Sequence, residues 1–183
     1  MMLRRRRSGR VLVLGGARSG KSRFAEESLH GSAGVVYVAC GAQPDGHDAE
    51  WDERVRLHRQ RRPADWQTLE TQDLAAVLRP DRAPALIDCL STWLATAMDD
   101  CGVWTGAVGA DARLADRVDS MVDAWAASSR HVVAVSNEVG SGVVPATVSG
   151  RRYRDELGAL NARIAAASDQ VWFVVAGIPQ RLR

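Results

Sequence analysis

What this sequence lacks narrows its class before any motif is read. Cysteine appears only three times, at Cys40, Cys89 and Cys101. An odd count without metal-type spacing argues against a disulfide framework and against a zinc site, and it fits a reducing cytoplasm. No stretch approaches the roughly 18 apolar residues of a membrane span. Val11 to Leu14 is too short for the apolar core of a secretory signal and runs straight into glycine. Charge of one sign is also missing: the net value is +2 over 183 residues, far from the basicity of a dedicated nucleic-acid binder. Internal repeats, low-complexity tracts and interdomain linkers do not stand out.

What remains is an ordinary globular composition, 46% hydrophobic and 25% charged, long enough to bury one proper core. Charge is nevertheless clustered. Arg4 to Arg7 form one basic run, and Arg54, Arg56, Arg59, Arg61 and Arg62 form another. Residues 1–10 read as a solvated, poorly ordered basic extension, and residues 11–183 as a single domain. Short apolar runs at Val11–Leu14, Val35–Ala39, Ala85–Asp88, Val132–Val135 and Val171–Val175, with a weaker one at Gln67–Leu69, have the character of strands buried on both faces. Lys21–Leu29, Asp48–Arg61, Thr92–Met98, Ala110–Ala127 and Tyr153–Ala167 read as helices between them. Such alternation predicts a three-layer α/β domain with a mainly parallel sheet. Gly140–Gly150 is the longest segment expected to be irregular.

The strongest local signal is Gly15, Gly16, Ala17, Arg18, Ser19, Gly20, Lys21, Ser22. It matches G-x-x-x-x-G-K-[ST] and lies between a strand and a helix, the setting that pattern requires. Glycines allow consecutive N–H groups to point inward as an anion nest, and the helix adds the positive end of its dipole. Lys21 would reach the β/γ-phosphates of a nucleoside triphosphate, and the Ser22 hydroxyl would ligate Mg2+. The apolar run ending in Asp88 has the form of the partner carboxylate. Asp88 would hold the metal shell or take a proton from a substrate hydroxyl; the plainer alternative is a helix-capping Asp after a strand.

Beyond the loop the residues allow more than one reading. Trp51, Val55 and His58 fall on one helical face. His58, followed by arginines, has the chemistry of a neutral nucleophile able to form a phosphoramidate, or it is a half-buried helix histidine. Glu70, at the end of a short strand, could accept two hydrogen bonds from guanine, or be a solvated loop acid. Asn137 and Glu138 either sense phosphate at a strand end or shape the following glycine loop.

Several motifs in order then resemble one known family. They are the loop written Gly-Gly-Ala-Arg-Ser-Gly-Lys-Ser-Arg, His58 followed by Arg62-Pro63-Ala64-Asp65-Trp66 and Thr68-Leu69-Glu70, Asp88-Cys89-Leu90-Ser91-Thr92-Trp93-Leu94, Ser136 to Pro145, and the closing Val171 to Pro179. From Val11 onward the chain is similar to the bifunctional adenosylcobinamide kinase / adenosylcobinamide-phosphate guanylyltransferases of cobalamin biosynthesis. The resemblance implies a RecA-like P-loop NTPase fold and a homotrimer. It also implies phosphorylation of adenosylcobinamide by ATP or GTP, then transfer of GMP from GTP to adenosylcobinamide phosphate through a guanylyl-histidine at His58. Lys21 and Asp88 join His58 as catalytic residues, with Ser22 and Asp88 on the metal. Nucleotide contacts carry over to Gly15 through Ser22, Ala39, Cys40, Gly41, Arg59, Gln60, Arg61, Arg62, Glu70 and Asp88. Two departures are visible: members often carry adjacent histidines where Leu57 precedes His58 here, and Cys40 stands where threonine is frequent. A different small-molecule P-loop kinase, and a nucleotide-dependent switch, are the competing classes.

Overall fold

The computed structural model describes residues 9–41, 46–79 and 83–183; the side chains of Trp51, Arg54 and Arg61 also lie outside the described set. Among the described residues the chain forms seven strands and six helices in the order β1 (Arg10–Gly15), α1 (Lys21–Ser28), β2 (Val36–Ala39), α2 (Ala49–Arg61), β3 (Gln67–Glu70), α3 (Leu74–Val77), β4 (Ala85–Asp88), α4 (Leu90–Asp100), α5 (Ala110–Ala127), β5 (Val132–Asn137), α6 (Val148–Ala166), β6 (Gln170–Val175) and β7 (Ile178–Arg181). One sheet runs β3-β2-β4-β5-β1-β6-β7, parallel throughout except for the antiparallel edge pair β6–β7.

The period-two geometry of a strand explains why these runs read as continuously apolar. In β5, Val132 and Ala134 point into one core cluster while Val133 and Val135 point into the other; in β1, Leu12 and Val13 divide the same way. The first cluster is closed by α3, α4, α5 and α6 through Leu74, Trp93, Trp125 and Ile164. The second is closed by Ala25 and Leu29 around α1, with Tyr37 and Trp66. A strand covered on both faces has no polar side to alternate with.

Several elements differ from expectation for local reasons. The sheet begins at Arg10, whose backbone N–H donates to Asp169 Oδ2 at 2.7 Å and whose guanidinium pairs with Oδ1 at 3.1 Å; that residue belongs to the domain, and Arg4 to Arg7 lie outside the described residues. Helix α6 starts at Val148, five residues before the predicted start, because the Thr147 hydroxyl accepts from Gly150 N–H at 3.1 Å and caps it. The predicted irregular segment Gly140–Gly150 is shortened accordingly. Finally, α3 and β7 were not legible beforehand. Asp73 caps the four-residue α3 by accepting from Ala76 N–H. A two-residue turn folds β7 back on β6, with Ala176 at φ 51° and Gly177 at φ 79°.

Candidate active site

The loop from Gly15 to Ser22 sits where β1 meets α1, at the carboxyl end of the parallel strands, the usual ligand edge of an open α/β sheet. Gly20 adopts φ 92°, a conformation that glycine enters without penalty, and α1 opens at the next residue. The turn at Gly177 supports the loop from outside, donating its N–H to Ser19 O at 2.8 Å. Lys21 is the only lysine in the chain. It is 5% exposed and donates from Nζ to Gly16 O at 3.1 Å. The Ser19 hydroxyl is buried in the loop with no hydrogen-bond partner among the described residues. A cavity of about 520 Å3 opens over the loop, lined by Arg18, Lys21, Ser22, Arg23, Leu57 and His58 among others.

Asp88, at the end of β4, gathers this site. Its Oδ1 lies 3.5 Å from Ser22 Oγ, and its Oδ2 accepts from Tyr37 OH at 2.9 Å. His58 approaches from α2, with Nδ1 at 3.4 Å from Asp88 Oδ2 and 4.0 Å from Glu26 Oε1. Burial alone would push the Asp88 carboxyl up. The His58 hydrogen bond and charge, the Tyr37 hydroxyl and the Lys21 cation outweigh it and hold the group below its ordinary value. Tyr37 moves the other way: burial, then the Asp88 charge, push its phenol well up, so it stays a donor. Ser22 Oγ and Asp88 are hard oxygen donors at close range, and that donor set fits Mg2+.

The structure brings Gly15 through Ser22, His58 and Asp88 together and distributes the remaining expected contacts differently. Ala39 is in register with both Asp88 and Glu70, so the segment Ala39–Gly41 lies at the same sheet edge. The Cys40 side chain is fully buried in the core, which pushes its thiol well up. Arg59 pairs with Glu70 at 3.2 Å, both exposed. Arg62 stacks on the Tyr37 ring at 3.3 Å and donates to Thr68 Oγ1. Gln60 and Arg59 line a separate cavity on the outer side of α2 with Asp52, Val55 and Arg56. The cause is helical rotation: residues one and two beyond His58 turn about 100° and 200° away, whereas Arg62, four residues on, returns to the Tyr37 side. The Arg61 side chain lies outside the described residues.

Among the described residues, the cations that line the loop cavity are Arg18, Lys21 and Arg23. Two residues were missed. Tyr37 and Glu26 meet Asp88 and His58 only through the fold; the one available signal was the four-residue spacing of Ser22 and Glu26, which puts both on one face of α1.

A family model described as cobinamide kinase / cobinamide phosphate guanyltransferase matches residues 11–182. The chain belongs to that family. Curated relatives agree over nearly their whole lengths. The bifunctional adenosylcobalamin biosynthesis protein CobP of Pseudomonas aeruginosa is 39% identical, covering 95% of this chain and 97% of that one. The CobU proteins of Salmonella typhimurium and Escherichia coli are 35% and 36% identical, each covering 94% of this chain and 99% of the relative. Among solved structures, an ATPase from the type III secretion system of pathogenic bacteria superposes with a TM-score of 0.53 at 11% identity, over 95% of this chain and 58% of that chain. That likeness carries the fold alone: a three-layer, RecA-like P-loop NTPase domain.

Proposed function

We propose that this protein is a bifunctional enzyme that phosphorylates adenosylcobinamide and then guanylylates the product, giving adenosylcobinamide-GDP in cobalamin biosynthesis. Membership of a family described by both activities, and relatives named bifunctional adenosylcobalamin biosynthesis proteins, support the two reactions. One observation carries the mechanism: His58 Nδ1 lies 3.4 Å from Asp88 Oδ2, beside the phosphate loop and on the same cavity.

In the kinase step the amides of Gly15 to Gly20 and Lys21 hold the triphosphate of ATP or GTP. Asp88 takes the proton of the substrate hydroxyl as that oxygen attacks the γ-phosphorus. In the guanylyl step a His58 nitrogen attacks the α-phosphorus of GTP, and pyrophosphate leaves with the electron pair of the broken P–O bond. The phosphate of adenosylcobinamide phosphate then displaces the histidine, and the P–N electrons return to the ring. Mg2+, held by Ser22 and Asp88, would supply charge neutralisation at the phosphates. Arg18 and Arg23 reinforce it from the cavity wall. Glu70 reads guanine, with Ala39 to Gly41 alongside and Arg59 to Arg62 flanking.

We further read the assembly as a homotrimer in the cytoplasm. Three free cysteines suit a reducing compartment. Exposed Val175, Ile178 and Leu182 on the β6–β7 edge offer apolar surface for a neighbouring copy. Incubation with α-labelled GTP and Mg2+ should give an acid-labile, base-stable protein adduct in the parent and none in His58→Ala. Undiminished labelling of that variant would remove His58 from the mechanism.

A further inference from the structure

The family reactions call for one carboxylate at Asp88, yet the imidazole of His58 is flanked by two. Glu26, on α1, is 9% exposed overall, with its side chain 10% exposed and that of His58 20%. Its Oε1 lies 4.0 Å from the same nitrogen, Nδ1, that faces Asp88 Oδ2 at 3.4 Å. One donor atom from each of the three side chains falls within a 4.8 Å cluster. Both acids thus crowd one edge of the ring, and Nε2 is on the other.

We propose that Glu26 is a positioning residue for guanylyl transfer: its charge, 4.0 Å from Nδ1 of His58, favours the tautomer that keeps the proton on that nitrogen beside Asp88, so that Nε2 is the atom that takes the GMP. The inference rests on the reading of His58 as nucleophile. A neutral imidazole carries one N–H, and the acceptor next to it decides which nitrogen keeps it. Two carboxylates at Nδ1 keep the proton there and leave the Nε2 lone pair free to attack. When the Nε2–P bond forms and pyrophosphate departs with the P–O electrons, Nδ1 retains its proton and the ring becomes cationic. A nearby carboxylate stabilises that intermediate, and the charge disappears when the acceptor phosphate breaks the P–N bond.

Asp88 cannot be reserved for this task. It already accepts the Tyr37 hydroxyl, and it stands 3.5 Å from Ser22 Oγ, where it is assigned to the metal and to the kinase proton. Glu26 has no part in γ-phosphoryl transfer as derived above. The two acids therefore divide the reactions: Asp88 serves both, and Glu26 serves guanylyl transfer alone. The chain arranges this economically, because Ser22 and Glu26 are four residues apart and share one face of α1.

The test is a comparison of both half-reactions in Glu26→Gln and Glu26→Leu. Glutamine keeps the shape and an acceptor oxygen while removing charge; leucine removes both. Labelling by α-labelled GTP should slow by about 10- to 100-fold in Glu26→Leu, the size of loss when a carboxylate that orients a metal-bound histidine is removed, and by less in Glu26→Gln. Phosphorylation of adenosylcobinamide should stay within about twofold of the parent in both, the signature of an interaction confined to one reaction. Phosphorus–nitrogen NMR of the trapped parent adduct should show GMP on Nε2. Attachment at Nδ1, unchanged labelling in both variants, or equal loss of both reactions in Glu26→Gln would each overturn the proposal. Label that persists in His58→Ala would instead overturn the nucleophile reading, and this inference with it.

Discussion

Adding one methyl group at Gly15 tests whether the phosphate loop is held by the sheet as tightly as its geometry requires. A Cβ built there would stand 2.5 Å from Ser19 Oγ and 2.6 Å from Val174 O. The serine can swing away. The carbonyl cannot, because Val174 is laddered to Gly15 on one side and to Pro179 of β7 on the other. The main chain of the loop must therefore yield by roughly half an ångström, and forced overpacking of that kind costs about 1–3 kcal/mol. For a chain of this size the melting point should fall by roughly 2–12 °C. If the strain is relieved by displacing the amides that face phosphate, GTP affinity falls by roughly 5- to 150-fold, at 1.4 kcal/mol per factor of ten. Gly16→Ala is the internal control, since nothing lies within 4 Å of a Cβ at that position; its melting point should move by less than the equivalent of about 1 kcal/mol. Thermal unfolding followed by calorimetric titration with GTP measures both effects. The reasoning is refuted if Gly15→Ala melts and binds like the parent, or if Gly16→Ala is the more damaged in melting point.

Three further outcomes follow from other parts of the molecule. Trp125 is fully buried and donates to Ser168 Oγ at 3.2 Å; Trp125→Ala should cost about 3–5 kcal/mol in urea unfolding, and a loss below about 1 kcal/mol would show that the cavity collapses freely. Glu70→Gln should weaken GTP binding by about tenfold or more while leaving ATP binding unchanged, because it swaps an acceptor oxygen for a donor; parallel losses for both nucleotides would remove Glu70 from base recognition. Hydrogen bonds from the Arg10 side chain and then its backbone N–H hold the Asp169 carboxyl below its ordinary 3.8. A depressed folded pKa contributes stability above the unfolded value and loses it as pH falls through the folded one. Asp169→Asn should therefore melt below the parent at pH 7, by an amount worth about 1 kcal/mol or less for a half-exposed pair. The gap should close under strong acid, and a gap that stays constant down to pH 2 would exclude this linkage.

How far the site could be read in advance depended on sequence distance. The phosphate loop was legible because its parts are local: an apolar strand, glycines and a helix start within some 20 residues, and the amides that bind phosphate belong to the same segment. Asp88 was legible as an acid closing an apolar run. Arg59 and Arg62 are near neighbours in sequence, but the fold sends Arg59 to Glu70 and Arg62 onto Tyr37, a divergence that the run of arginines did not show. Hairpin β7 was missed because Ile178 to Arg181 is short and interrupted by Pro179, a residue suited only to an edge strand.

By itself the sequence determined the buried central strands, though not that β3 at Gln67–Glu70 is exposed throughout, together with the alternation of strands and helices and the identity of the phosphate-binding segment, since periodicity and glycine placement act through neighbours along the chain. Only the tertiary structure decided the partners. Tyr37 meets Asp88 across 51 positions, Gly177 braces Ser19 from the far edge hairpin, and Glu26 and Asp88 converge on His58 from different elements. Burial patterns state that a side chain leaves water, but not what it meets there. That is settled when β5 takes its place between β1 and β4 and the helices close over both faces.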